Sequence, residues 1–287
     1  MAEGPLCVVE DQCDITRLGE GVDRTGRLSE VAVERTLVAV SRFVSRAREL
    51  GVSRLKAVAT AAVRVAENGS LFVAAASDRL GIPVEVIDGL READLVARAT
   101  SGDPALPTGT KLVFDVGGGS TELARVVSNE VVDRISLPIG AVRLTERFID
   151  GELPSERAVA QISACVNDAL SVVPRSLRRG AFSVVGVAGT VTTLVAVSLG
   201  LDPYEPSKVH GARLDWREVD RQIKLFRTTT LGERRKMRGL APGRADVILA
   251  GAIIVARVLR SLERGALWAS DRGVRFGLLS EMMSEAA

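Results

Sequence analysis

The sequence contains few of the residues on which zinc, thiol or histidine chemistry depends. Its 287 residues include one histidine, His210, and three cysteines, Cys7, Cys13 and Cys165. A single histidine argues against a histidine-based zinc site and against a Ser-His-Asp triad. The cysteines lack CxxC spacing, a pattern typical of reduced thiols in a cytoplasmic protein.

Long apolar runs are also missing. The most apolar run, Val247 to Ala256, is ten residues long, too short to span a bilayer, and it predicts a buried helix. Met1 to Pro5 form no basic region before an apolar stretch, so no signal peptide is expected. We therefore expect a cytoplasmic protein that has no membrane partner and no specific nucleic-acid partner.

The length of the chain predicts two domains, because one hydrophobic core seldom keeps growing at this size. Short strands alternate with helices over the first hundred residues, which favours a mostly parallel sheet. Turn-forming residues are dense from Ser101 to Gly109. The predicted domains are 1–102, completed by a C-terminal helix at 277–287, and 103–276.

Apolar patterns and turn residues place the principal elements. Ser29 is a suitable N-cap for a long helix that Gly51 ends. The predicted strands include Leu6 to Glu10, Leu55 to Ala59, Pro83 to Ile87, Lys111 to Val116, Thr121 to Val127, Val131 to Leu137, Ser183 to Val187 and Ala266 to Ala269.

A triple-glycine turn between two of these strands is the sharpest chemical feature. Gly117, Gly118 and Gly119 allow several backbone N–H groups to approach one anion, and Ser120 and Thr121 add hydroxyl groups. Asp115 and Glu122 flank the turn, where both could face a hard cation such as Mg²⁺. A strand, glycine turn and strand is the phosphate hairpin of actin-like ATPases. The alternative is a tight hairpin that needs glycine only for its geometry.

Other candidates are weaker on local grounds. Gly189 and Thr190 join a strand to a helix whose first N–H groups would favour a phosphate, although any such turn can use glycine. Glu92 lies at a helix start, where a carboxylate commonly compensates the helix dipole. Arg64 would usually be a solvated side chain, and His210 is more often structural. The basic residues from Arg234 to Arg244 could line a polyanion channel, but a charged helix face is the favoured interpretation.

The sequence resembles the exopolyphosphatase/guanosine pentaphosphate phosphatase family from about Ile15 to its end. The matching stretches are ITRLGEGVD, ATAAVRVAEN, IPVEVIDGLREADL, FDVGGGSTEL, SLPIGAVRLTERF, VGVAGTVTTL, KVHGARL, GRADVILAGA and SDRGVRFGLL. The resemblance implies the two-domain α/β fold of the actin-like ATPases (the ASKHA class, ribonuclease H-like), in a short form.

The resemblance also implies a reaction and a set of roles. The reaction is Mg²⁺- or Mn²⁺-dependent hydrolysis of a terminal phosphoanhydride, in inorganic polyphosphate or guanosine pentaphosphate, by a homodimer. Glu92 would be the catalytic base, with Arg91 at the other acidic position of the family motif. The implied metal ligands are Asp115 and Glu122, and the implied phosphate-binding residues are Arg64, Gly117, Gly118, Gly119, Ser120, Thr121, Gly189 and Thr190.

Two departures from the family pattern affect the expectations. The family begins with a strand and a phosphate loop, Asp-x-Gly-Ser/Thr-Asn-Ser, that this sequence does not contain. We therefore expect a shortened start and impaired turnover, and a non-catalytic polyphosphate or alarmone binder is the main alternative. A small-molecule kinase is a third possibility, but no sugar-site motif supports it. Ala188 stands where many members have glycine.

Overall fold

A computed structural model describes residues 8–285 of the chain. Contacts within it divide the chain into two units: unit 1 runs up to Asp88 and resumes at Leu278, and unit 2 is Gly89–Gly277. The expected domain boundary at 102 therefore falls inside unit 2. The reason is the helix that begins at Gly89, because it packs on three strands of the unit 2 sheet.

Unit 1 is a small α/β unit. Its elements are α1 (Val22–Thr25), α2 (Glu30–Glu49), β1 (Ala57–Ala59), α3 (Ala61–Val65), α4 (Gly69–Leu80) and β2 (Val84–Val86). Helix α2 begins after Ser29, whose hydroxyl oxygen accepts the Ala32 N–H at 3.2 Å, as the N-cap prediction requires. Strands β1 and β2 pair in parallel, as expected for this region.

The predicted strand from Leu6 to Glu10 is wrong for its described part. Leu6 lies outside the described residues, and Val8 to Glu10 have no strand structure. The side chain of Val9 is 82% exposed, so its apolar character does not reflect burial in a sheet.

Unit 2 is built on a mixed sheet. Its strands are β3 (Lys111–Val116), β4 (Thr121–Val127), β5 (Glu130–Leu137), β6 (Ser183–Val187), β7 (Arg213–Asp215) and β8 (Ala266–Ala269). The strand order is β5-β4-β3-β6-β8-β7. Strand β3 is antiparallel to β4 and parallel to β6, which is parallel to β8. Strands β5 and β7 pair antiparallel with β4 and β8.

Helices surround this sheet. In chain order they are α5 (Gly89–Ala99), α6 (Ala141–Phe148), α7 (Glu156–Ser171), α8 (Arg175–Arg178), α9 (Ala188–Leu199), α10 (Pro206–Val209), α11 (Trp216–Thr228), α12 (Leu231–Arg234), a 3₁₀ turn (Pro242–Arg244), α13 (Ile248–Ser261) and α14 (Val274–Ser284), whose last residues belong to unit 1.

The two faces of β3 belong to different cores. Leu112, Phe114 and Val116 pack in the larger cluster with α6, α7, α9 and α13, while Val113 packs with α5. Because side chains alternate along a strand, Asp115 shares the face of Val113. Both faces are covered, which explains why every residue of β3 is buried.

The apolar run near residue 250 forms a buried helix, as predicted. Helix α13 is buried along nearly its whole length, at the centre of the larger core of unit 2. Within residues 8–285 we find no helix with the length and apolar character that a membrane span requires.

Candidate active site

Two carboxylates face each other across the β3–β4 hairpin. Asp115 is the ladder partner of Glu122, one position before the strands lead into the glycine turn. Residues directly opposite in an antiparallel ladder have Cβ atoms about 4.5–5.5 Å apart and project from the same face. Both residues are buried. The hairpin therefore holds two acidic side chains together where water is scarce.

A third acid, Glu92, acts on this pair. It lies in the first turn of α5, the helix that covers the same face of the sheet, and it is 8% exposed. Burial, and then the charges of Glu122 and Glu92, raise the pKa of Asp115 well above its ordinary value. The structure thus brings together the predicted base and both predicted metal ligands.

Helix α6 fixes the glycine turn from behind. The Gly117 N–H donates to the Ser120 carbonyl oxygen at 3.0 Å. The carbonyl oxygens of Gly117 and Gly118 accept N–H groups from the first turn of α6, at 2.9–3.1 Å. Across residues 8–285, the N–H groups of Gly118, Gly119 and Ser120 make no backbone hydrogen bond. They are consequently available to an anion.

Gly140 is a supporting residue that the sequence analysis did not single out. A Cβ atom there would lie 2.3 Å from the Gly118 carbonyl oxygen and 2.5 Å from the Gly119 nitrogen. These distances are far below van der Waals contact, so only glycine allows α6 to approach the turn. Its position between β5 and α6 gave no local sign of this role, because the approach is between segments distant in sequence.

The predicted threonine ligands use their hydroxyl groups elsewhere. The Thr121 hydroxyl donates to the Ile139 carbonyl oxygen at 2.7 Å. The Thr190 hydroxyl donates to the Val116 carbonyl oxygen at 3.0 Å and so joins the start of α9 to the end of β3. Both bonds are buried. Each threonine hydroxyl therefore holds the loops in place, and the phosphate-binding role of the two residues stays a prediction.

An arginine lies directly on the second glycine loop. A Cβ atom on Gly189 would come within 1.3–2.3 Å of guanidinium atoms of Arg244. Gly189 is in the first turn of α9, so the guanidinium adds positive charge at a helix N-terminus. Arg244 was anticipated only as part of a basic stretch, because nothing local in the sequence links it to residue 189.

Arg64 belongs to unit 1. It lies on α3, and its Nη1 donates to the carbonyl oxygen of Ile87 at 2.6 Å. This bond fixes the arginine near the residues that follow β2.

The acid pair fits a cation that is shared with phosphate. No group of three or more His, Cys, Asp or Glu side chains within the described part of the chain is arranged to hold a metal ion alone. Mg²⁺, however, is commonly held by one or two carboxylates together with substrate phosphates and water. Asp115 and Glu122, beside the anion-binding turn, supply that number and type of oxygen ligand.

A second buried carboxylate in unit 2 has the opposite surroundings. Asp103 Oδ2 lies 3.0 Å from His210 Nε2 and 2.9 Å from Arg272 Nη1, and its Oδ1 accepts the Ala105 N–H at 3.0 Å. Burial raises its pKa, but the bonds from His210 and Ala105 and the charge of Arg272 bring it below the ordinary value. His210 therefore has a partner within the fold, as expected for a structural histidine.

The two-unit α/β fold carries a buried group of three acids beside a glycine turn with available N–H groups. The chain belongs to the Ppx/GppA phosphatase family, which matches residues 1–286. It is 35% identical to "Exopolyphosphatase 2" of Mycobacterium tuberculosis, over 93% of this chain and 85% of that one. It is 30% identical to the "Guanosine-5'-triphosphate,3'-diphosphate pyrophosphatase" of Photobacterium profundum, over 94% of this chain and 53% of that one.

Solved structures confirm the predicted family and the two-domain α/β fold. The Aquifex aeolicus member of the Ppx/GppA family superposes with a TM-score of 0.79 at 35% identity, covering 94% of this chain and 87% of that one. An exopolyphosphatase from Cytophaga hutchinsonii gives a TM-score of 0.84 at 26% identity, over 93% and 87% of the two chains.

Proposed function

We propose that this chain hydrolyses the terminal phosphoanhydride of a linear phosphate chain, with Mg²⁺ or Mn²⁺ as cofactor. The observation that carries the proposal is the meeting of Glu92, Asp115 and Glu122 on one face of the sheet, next to a turn with available N–H groups. Inorganic polyphosphate is the first substrate to test, because the exopolyphosphatase relative is matched over more of its length than the guanosine pentaphosphate relative.

Each group has a distinct task in this proposal. Glu92 accepts a proton from the attacking water, and it lies buried in the first turn of α5, beside the strands that bear Asp115 and Glu122. The N–H groups of Gly118, Gly119 and Ser120 bind the oxygens of the terminal phosphate. Phosphoryl transfer needs positioning and charge stabilisation more than covalent chemistry.

The second loop completes the phosphate site that we propose. The start of α9, with Arg244 on Gly189, supplies positive charge for the phosphates behind the terminal one. For Arg64, which lies in unit 1, the phosphate-binding role rests on the resemblance to the family alone. A cation held by Asp115 and Glu122 would neutralise the charge that develops on the phosphate oxygens.

The proposal is tested with Glu92→Gln and a matched control, Glu156→Gln. Glu156 is also an acid in the first turn of a helix, α7, but it is exposed. If Glu92 is the base, its variant loses about 10²–10⁴-fold in turnover while polyphosphate binding changes only a few-fold. The measurement is phosphate release from polyphosphate and from guanosine pentaphosphate, with and without Mg²⁺.

The control separates catalysis from helix-dipole compensation. Glu156→Gln should leave turnover unchanged, and near-wild-type turnover in Glu92→Gln would reduce Glu92 to a first-turn acid like Glu156. A wild-type protein that binds polyphosphate but releases no phosphate at any Mg²⁺ concentration would instead establish the non-catalytic binder.

A further inference from the structure

Ser136 lies in the same row of the sheet as the two metal-site acids. It is on β5, where it is the ladder partner of Glu122, which in turn is the partner of Asp115. The Ser136 hydroxyl donates to Glu122 Oε1 at 2.6 Å. Three strands thus present a hydroxyl and two carboxylates side by side on the face that α5 covers.

From this row we propose that Ser136 is a positioning residue, which orients the Glu122 carboxylate for a divalent cation. The inference rests on the proposed function, because it takes the metal site as given. It adds a residue that makes no contact with substrate and acts through Glu122.

The electrostatics of the row explain why a donor is needed. A glutamate has a long, rotatable side chain, and repulsion from Asp115 and from Glu92 would turn its carboxylate away from the pair. A short hydrogen bond from a hydroxyl on the neighbouring strand opposes that rotation and also offsets the burial of the charge. Groups that orient metal ligands typically change metal affinity by about 10–100-fold when they are removed.

A purely structural role for Ser136 predicts something different. In that case the hydroxyl would merely satisfy a buried oxygen, and its loss would lower stability without a selective change in metal affinity. Another serine-to-carboxylate bond in unit 2 provides the matched control. Ser176 donates to Asp133, also on β5, but at an exposed position away from the acid pair.

The experiment measures Mn²⁺ affinity by electron paramagnetic resonance, with inorganic phosphate present because the proposed cation is shared with phosphate oxygens. We expect Ser136→Ala to weaken Mn²⁺ binding about tenfold or more, Ser136→Thr to stay within about threefold of wild type, and Ser176→Ala to change nothing. In a Glu122→Gln background, Ser136→Ala should have no further effect, because the group that it orients is gone.

The outcomes distinguish this inference from the proposed function. Equal Mn²⁺ affinity in Ser136→Ala and wild type overturns the positioning role, even where Glu92→Gln abolishes phosphate release. Absence of saturable Mn²⁺ binding by the wild-type protein overturns the positioning role together with the metal site. Thermal unfolding of each variant shows that the comparison is between folded proteins.

Discussion

Two buried aspartates of unit 2, Asp103 and Asp115, show what different neighbours do to the same side chain. Asp103 is surrounded by His210, Arg272 and an N–H donor, and its pKa lies below the ordinary value. Asp115 is surrounded by Glu122 and Glu92, and its pKa is raised. Burial raises both pKa values, so the partners alone decide the sign.

The difference supports a structural role for Asp103 and the ligand-binding role that we propose for Asp115. Asp103 finds its counter-charges within the folded chain and joins the segment before β3 to the segments that hold His210 and Arg272. The neighbouring acids of Asp115 add to its burial cost, an arrangement that a fold retains where an external cation or proton is bound. A shifted carboxylate pKa therefore indicates the role of the residue only when the direction of the shift is known.

The largest effect on this comparison is expected from Asp103→Asn. The variant leaves Arg272 and His210 without their shared carboxylate, and we expect a loss of about 2 kcal/mol in the free energy of unfolding at neutral pH. This is below the usual cost of breaking a fully buried pair, because Arg272 is partly exposed. Urea unfolding measures it, with Asp220→Asn, which breaks an exposed pair with Arg260, as the control.

The sign of the pH dependence follows from the lowered pKa. The Asp103 carboxylate stabilises the fold at pH values above about 4, its unfolded pKa, and the contribution is lost as pH falls through the lower folded pKa. Wild type and Asp103→Asn should therefore converge in acid. If the two proteins still differ in free energy of unfolding at about pH 2–3 by as much as at neutral pH, the charge argument is contradicted.

Asp115→Asn should change the free energy of unfolding in the opposite direction to Asp103→Asn. The raised pKa means that the ionised carboxylate destabilises the fold, so the contribution is absent below about pH 4 and grows as pH rises toward the folded pKa. In metal-free buffer at neutral pH we expect the variant to be more stable than wild type.

The same unfolding measurements check this prediction, with the exposed Asp168→Asn as the control. Added Mg²⁺ should bind the wild-type carboxylate and so reduce the difference in stability between wild type and Asp115→Asn. An Asp115→Asn protein that is less stable than wild type at neutral pH would show that the acid row already has an internal counter-charge.

The smallest effect concerns the backbone beside the site. Ala188 has φ of 65°, in the left-handed region that disfavours residues with a Cβ atom. Ala188→Gly should stabilise the fold by about 0.5 kcal/mol, after the greater flexibility of glycine in the unfolded chain is subtracted. This variant separates backbone strain from charge repulsion as a source of instability at the site.

A second alanine of α9 provides the contrast for Ala188. Ala196 is buried in the helix interior, where glycine should cost about 1 kcal/mol. Thermal unfolding of both variants should therefore shift in opposite directions, and equal losses would show that the left-handed conformation at 188 carries no strain.

Local patterns predicted the site-bearing strands closely. Strands β3, β4, β6 and β8 begin and end where the sequence indicated, since each is an apolar run with turn residues at its ends. Strand β7 was missed, because three residues at a sheet edge carry too little pattern. For Val8 to Glu10, the described part of the predicted first strand, the prediction failed because apolar residues alone do not establish burial.

Contacts between distant segments could not be predicted. The sequence indicated Gly189 and Thr190 as candidate residues. It did not indicate that Arg244 lies on Gly189, or that the Val116 carbonyl oxygen accepts a hydrogen bond from Thr190. Similarly, the sequence analysis treated the basic residues from Arg234 to Arg244 as one group, yet the side chain of Arg234 is buried, with 1% exposed. Such partners are chosen by tertiary packing, which leaves no periodic signal along the chain.

The contact between Gly189 and Arg244 couples two positions that lie far apart in the sequence. A side chain at 189 and the present path of the arginine exclude each other in space. The overlapping atoms are the tip of a long, flexible side chain, so a residue larger than glycine at 189 would displace the guanidinium rather than the backbone of the loop. For protein engineering, a substitution at 189 is therefore also a change in where the positive charge of Arg244 lies.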